Sequence, residues 1–330
     1  MARAASSVRF IFLLACSLYA QESPCTRRII PVGVLDSHGE VPRELSVNTF
    51  SAELDHKPLA ITAATLFSGP NRVAILLDTS ESMKEGMNAS GKAELAYWVA
   101  ADAVKRLPAS VSIALLGFDK QVDGTLDFSA SREQLTSELT QRKKALSSSI
   151  GRKTALRDAI EYVLEHIPNA APGDAIYVIT DGEDNRSQIE SAQLEDRLQR
   201  ASVRLDVFLL RDFLWNGDPF PGSDDTAKLA RATGGTVIDF HPTMLRARYS
   251  STTENFTVTP ARQELVSAAL TLLYRQTASP YLLGIELPGV LKRSRGWKLN
   301  VVDQQLRKSI SLSYPRQIGS CPSGQASMPN

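Results

Sequence analysis

The sequence is short of the residues from which most catalytic sites are built. It has three cysteines and four histidines in 330 residues. No cysteine sits in a CxxC pair and the histidines are scattered, so zinc-ligand spacings are missing. There is no GxSxG, no P-loop glycine pattern, no HExxH and no paired Cys and His for nucleophilic work. An excess of one charge is lacking too. The 37 basic and 36 acidic residues are well mixed and leave a net charge of +1, which announces neither a nucleic-acid binder nor a polybasic membrane surface. No transmembrane helix is expected, because the apolar run nearest the start, Phe10 to Leu18, is too short to span a bilayer.

What is present is an ordinary globular composition, 43% hydrophobic and 22% charged, with length for one large core and a smaller second unit. Arg3 and Arg9 precede the early apolar run, and Leu18-Tyr19-Ala20 offers Ala20 for cleavage, so residues 1–20 read as an export signal. Leu13-Leu14-Ala15-Cys16 keeps a lipoprotein alternative open. Removing the signal leaves Cys25 and Cys321, and an exported chain with two cysteines invites one disulfide between its ends; free thiols in frayed tails are the other reading.

Residues 21–70 carry β-like alternation, as in Ile29 to Leu35 and Phe50 to Leu54. From Arg72 the texture changes. Nearly continuous apolar runs at 72–78, 111–118, 175–180, 205–210 and 236–240 read as strands buried on both faces, with 121–128 as an antiparallel edge strand. Between them lie helices. One carries the stripe Leu156, Ala159, Ile160, Val163, Leu164 and Ile167; another runs from Leu95 to Leu107 and stops before Pro108. This alternation predicts an α/β fold, a doubly wound and mostly parallel sheet flanked by helices, over residues 71–275. After a helix at 262–275, strands at 281–287, 297–302 and 309–314 return within residues 276–330, and they are expected to pair with the N-terminal segment in a small β domain.

In such sheets ligands bind at the carboxyl ends of the strands. The first strand there ends in Asp78-Thr-Ser80-Glu-Ser82, one carboxylate and two hydroxyls at alternate positions, a hard oxygen set suited to Mg²⁺. Asp181 ends another strand, and Thr154 opens the helix with the clean stripe. Each also has a purely structural reading: a polar turn at Asp78 to Ser82, a helix cap at Thr154, a turn at Asp181-Gly182.

With these residues in this order, the stretch from about 70 to 275 resembles a von Willebrand factor type A (VWA, Rossmann-like) domain and its metal-ion-dependent adhesion site, within a secreted bacterial group of related proteins. The resemblance implies Mg²⁺ (or Mn²⁺) held by Asp78, Ser80, Ser82 and Thr154, with Asp181 acting through water. It also implies a protein ligand whose Asp or Glu completes the ion's shell, and no catalysis. Family members commonly have glycine before the threonine, where this chain has Arg152 and Lys153. These cations either lower metal affinity or reach outward to an acidic partner. Phe213, Trp215 and Phe220 follow the strand at 205–210 and are candidate anchors on the partner-binding rim, and the long connection 241–260 leaves the same end of the sheet and reads as a functional or mobile loop. Two other functions stay in view: a structural envelope subunit with a vacant site, and a metal-dependent hydrolase using Glu81, Glu183 and Asp184.

Overall fold

The computed structural model describes residues 25–68, 71–83, 89–145, 153–211, 222–240 and 260–321. The signal segment, Cys16, Arg152, Phe213, Trp215, Phe220 and most of the 241–260 connection lie outside these residues.

The chain begins with three strands, β1 (Arg27–Leu35), β2 (Phe50–Leu54) and β3 (Lys57–Leu66). In β2 burial alternates strictly, so one face packs on a core and the other meets water, the pattern of an antiparallel sheet. The texture then switches. β4 (Asn71–Asp78), β5 (Val111–Phe118), β7 (Ala175–Thr180) and β8 (Arg204–Leu210) are buried along almost their whole length. Such runs are stable only between two layers of helices. With β6 (Val122–Asp123) and β9 (Val237–Phe240) they form a six-stranded sheet of order β6-β5-β4-β7-β8-β9, parallel except for the β5–β6 pair.

Helices cover both faces. Leu95, Val99, Ala103 and Leu107 of α1 (Ala89–Arg106) and its end, with α2 (Arg132–Ala145) and α6 (Pro260–Ala278), pack on Val73, Ile75 and Leu77. On the other face α3 (Leu156–His166), α4 (Ser191–Ala201) and α5 (Ser223–Ala232) pack on Ala74, Leu76, Ile176 and Val178. Each fully buried Leu, Ile or Val contributes roughly 1.5–3 kcal/mol, so these two clusters are the main source of stability.

After α6 the chain returns to the first sheet through β10 (Tyr281–Glu286), β11 (Arg295–Val301), a short helix α7 (Gln304–Ser309), β12 (Ser311–Ser313) and β13 (Gln317–Ile318). The result is a seven-stranded antiparallel sheet of order β12-β1-β10-β3-β2-β11-β13. β3 pairs directly with β10, Leu66 facing Tyr281, so the whole α/β unit is inserted between two neighbouring strands. Cys25 and Cys321 are joined by a disulfide with a Cα–Cα distance of 5.9 Å.

Three expectations change in detail. The edge strand expected over 121–128 shrinks to Val122–Asp123, because Gly124 turns the chain at φ +114° and Arg142 binds both the carboxylate and the carbonyl of Asp123. The strand expected at 309–314 is three residues long and is preceded by α7, which Asp303 caps by accepting from Gln305 N and Leu306 N. The helix expected at 262–275 extends over Pro260–Ala278.

Candidate functional site

The sheet order contains one reversal. From β4 the chain moves outward to β5 on one side, then returns past β4 to β7, β8 and β9 on the other. The crevice at this switch lies at the carboxyl ends of β4 and β7, the place where open α/β sheets bind ligands. Asp78 is the last residue of β4, and Asp181 immediately follows β7.

Asp78 is 2% exposed, and its carboxylate is fixed at both oxygens. Oδ1 accepts from Ser80 N at 2.9 Å, and Oδ2 accepts from Thr180 Oγ1 at 2.6 Å. The Ser80 contact folds the chain over the strand end, and Ser80 O then accepts from Met83 N at 3.2 Å in a short helical turn, Glu81–Met83. The Ser80 and Ser82 hydroxyls meet at 3.0 Å. Met83, 1% exposed, plugs this turn into the α1 side of the core and anchors it. Asp78, Ser80 and Ser82 therefore form one built cluster.

The loop after β7 is fastened on three sides. Gly182 sits at φ +84° and donates to Thr180 Oγ1 at 3.0 Å. A Cβ there would stand 2.7 Å from Ser223 Cα, so a glycine is required for the turn to pass α5. Asp184 Oδ2 accepts from Arg157 N, and Asp158 accepts from the Gln188 and Ile189 amides, which lace the loop to the start of α3. Thr154 is drawn to the same edge. Its N–H donates to Asn185 Oδ1 at 3.0 Å and its carbonyl accepts from the Asn185 and Arg186 amides. Thr154 is 1% exposed, but it is not the helix cap: that position belongs to Ala155, which makes no capping side-chain bond. The capping account of Thr154 is thereby removed.

Two carboxyl groups are buried here. Burial, and then the charge of Asp181, push the Asp78 carboxyl up to about 7, against hydrogen bonds from Ser80 and Thr180 that pull it down. A cation at the crevice would relieve that repulsion, and a carboxylate with small hydroxyls is the donor chemistry of Mg²⁺ or Mn²⁺. The residues present fit such an ion. Among the described residues, no cluster of three or more His, Cys, Asp or Glu side chains is placed to hold a metal, so the hydroxyl oxygens are needed to complete any set.

One residue was missed by sequence reasoning. Lys92, on the first turns of α1, is 3% exposed and its ammonium lies 3.1 Å from Asp181 Oδ2. The signal was there: Lys92 precedes the buried Leu95 and Ala96 by three and four residues, and so stands on the inward stripe of the helix. Of the two cations that do stand out in sequence before Thr154, Lys153 is exposed and Arg152 lies outside the described residues, as do Phe213, Trp215 and Phe220.

Residues 73–183, which include Asp78, Ser80, Ser82, Thr154 and Asp181, match the family model for the von Willebrand factor type A domain. No curated protein matches the chain significantly. Among solved structures, BatB from Bacteroides thetaiotaomicron is similar at 15% identity and TM-score 0.43, covering 62% of this chain and 98% of its own. A von Willebrand factor type A protein from Catenulispora acidiphila is similar at 13% identity and TM-score 0.43, covering 92% of this chain and 76% of its own. Manganese-loaded TRAP from Plasmodium vivax is similar at 12% identity and TM-score 0.39, covering 80% of this chain and 100% of its own. At these values the structural likenesses carry no argument about function. With its doubly wound sheet, its helices on both faces and this matching segment, the chain contains a von Willebrand factor type A domain.

Proposed function

We propose that this is an exported protein that binds a protein partner through a Mg²⁺- or Mn²⁺-dependent adhesion site, and that it is not an enzyme. Asp78, Ser80, Ser82 and Thr154 would hold the ion and Asp181 would act through water, while an Asp or Glu of the partner supplies the remaining oxygen. The observation that carries this reading is the buried cluster of Asp78, Ser80 and Asp181 at the switch between β4 and β7. When bound, the ion supplies an open coordination position. The protein's part is to hold rigid oxygens with backbone and hydroxyl donors, so that little ordering is left to occur when the partner arrives.

The remaining assignments follow the same reading. Residues 1–20 are proposed as a cleaved signal, 21–70 and 276–330 as one β domain, and 71–275 as the adhesion domain. The Cys25–Cys321 bridge supports export, since such bonds persist in oxidising compartments. No helix among the described residues is long and apolar enough to cross a membrane. Phe213, Trp215, Phe220, Arg152 and Lys153 are the proposed rim that judges the partner. Asp184, a carboxylate that hydrolysis would need, is engaged by Arg157 N and Ser187 N, which favours binding over catalysis. A second reading, an envelope subunit that works without an ion, is favoured by the Lys92 ammonium already resting on Asp181.

Affinity capture tests the proposal. Immobilised mature protein is exposed to envelope extract in Mg²⁺ and then eluted with chelator. A protein released by chelator from the wild type, and not retained by Asp78→Ala, is the expected result. Capture that ignores both chelator and substitution rejects the adhesion reading and favours the ion-free subunit.

A further inference from the structure

Lys92 is costly where it stands. Its side chain is 4% exposed and Asp181's is 6%, so both charges have left water. A buried ammonium is retained only when an opposite charge holds it, and Asp181 does so at 3.1 Å. The other oxygen of Asp181 accepts from Glu183 N at 3.2 Å, so both of its oxygens are engaged by the protein. Part of the field that would attract a divalent cation to Asp181 is therefore already cancelled by the ammonium. The ammonium and a divalent ion bound through Asp181 would draw on the same carboxylate, and their like charges repel at a few ångströms in a poorly screened site.

We propose that Lys92 is a built-in competitor for the cation site: its ammonium closes on Asp181 when no divalent ion is bound, and it must give up that contact for the ion to be held. The site then has two exclusive states, lysine-closed and metal-bound. This rests on the ion-binding reading above and adds the residue that sets its threshold. Lys92 sits on α1 while the ion's proposed holders sit at and after the end of β4, before α3 and after β7, so exchange of one cation for the other also loosens the tie between α1 and the β7 loop. A lysine-closed site gives the Asp181 carboxylate an opposite charge inside the fold, and so helps keep the crevice folded in ion-poor surroundings. It also raises the ion concentration needed for partner binding.

The test is isothermal titration of Mg²⁺ and Mn²⁺ into the full mature chain, comparing wild type, Lys92→Met, Lys92→Gln and Asp78→Ala. Loss of the competitor is expected to tighten ion binding by about tenfold or more. In parallel, ¹⁵N-detected lysine ammonium resonances of the wild type are followed during titration. One signal, absent from Lys92→Met, is expected to shift or vanish as the ion saturates. Equal or weaker binding in folded Lys92 variants, or an ammonium signal unmoved at saturation, overturns the competitor while leaving Asp78-dependent binding intact. If neither the wild type nor any Lys92 variant takes up the ion, the adhesion-site reading falls as well. If either Lys92 variant unfolds, the wild-type ammonium signal alone decides.

Discussion

Removing the Cys25–Cys321 bridge, by Cys25→Ser with Cys321→Ser, is expected to lower stability without dissolving the fold. The two residues are 296 apart in sequence, and closing a loop of that length removes about 5–6 kcal/mol of chain entropy from the unfolded state. Natural bridges deliver less than this ceiling, roughly 2–5 kcal/mol. A chain of about 300 residues unfolds with an entropy near 0.6 kcal/mol/K, so the loss corresponds to a fall in Tm of roughly 3–8 °C. The effect also has a place. β13 pairs with β11 over two residues only, and Cys321 N donates to Leu291 O at 2.9 Å beside it. Arg28 reaches across to Ser320 O at 3.5 Å. Without the bridge, amides of 317–321 should exchange faster with solvent, while those of β4 and β7 keep their protection. Thermal unfolding under non-reducing conditions, with hydrogen exchange by mass spectrometry, reads both. A Tm within about 1 °C of wild type, or loss of protection in β4 and β7 first, would refute the argument.

Gly182→Ala should cost about 2 kcal/mol or more in denaturant unfolding, since the new methyl meets Ser223 Cα at 2.7 Å and Leu209 Cδ1 at 2.8 Å at a positive φ; an unchanged midpoint would show that the loop moves freely. Tyr177→Phe should be neutral, or stabilising by up to about 1 kcal/mol, because the Tyr177 hydroxyl is buried with no hydrogen-bond partner among the described residues. A clear destabilisation in the same assay would reveal a water network beneath the sheet. Lys153→Gly should leave Mg²⁺ affinity within about threefold, because this side chain is exposed and screened; a large gain would place its ammonium near the ion.

The central strands were legible because burial on both faces writes itself as an unbroken apolar run: 111–118 and 175–180 coincide with β5 and β7. The ends of that sheet were legible because Asp78 and Asp181 interrupt such runs at their last turn, and the switch-point rule brings them together. Other features depend on contacts that no local pattern encodes. An edge strand is expected over 121–128, but Gly124 and the Arg142 grip on Asp123 end it after two residues. Thr154 looked like a cap, yet the helix starts one residue later and Thr154 is bound to the Asn185 segment, 31 positions away. Arg152 and Lys153 stand out in the sequence because they interrupt a family pattern, whereas among the described residues it is Lys92 whose ammonium touches Asp181, and its meaning lies in the inward stripe of α1. The disulfide was suggested by cysteine count, and its reason is the insertion of the α/β unit between β3 and β10, which leaves both chain ends on one sheet.

The most direct test of the account is a count of bound Mn²⁺ by electron paramagnetic resonance on the full mature chain, wild type beside Asp78→Ala. The account predicts saturable uptake of about one ion per chain, displaced by excess Mg²⁺ and lost in Asp78→Ala while that variant remains folded. Titrations that superimpose for the two proteins would contradict it.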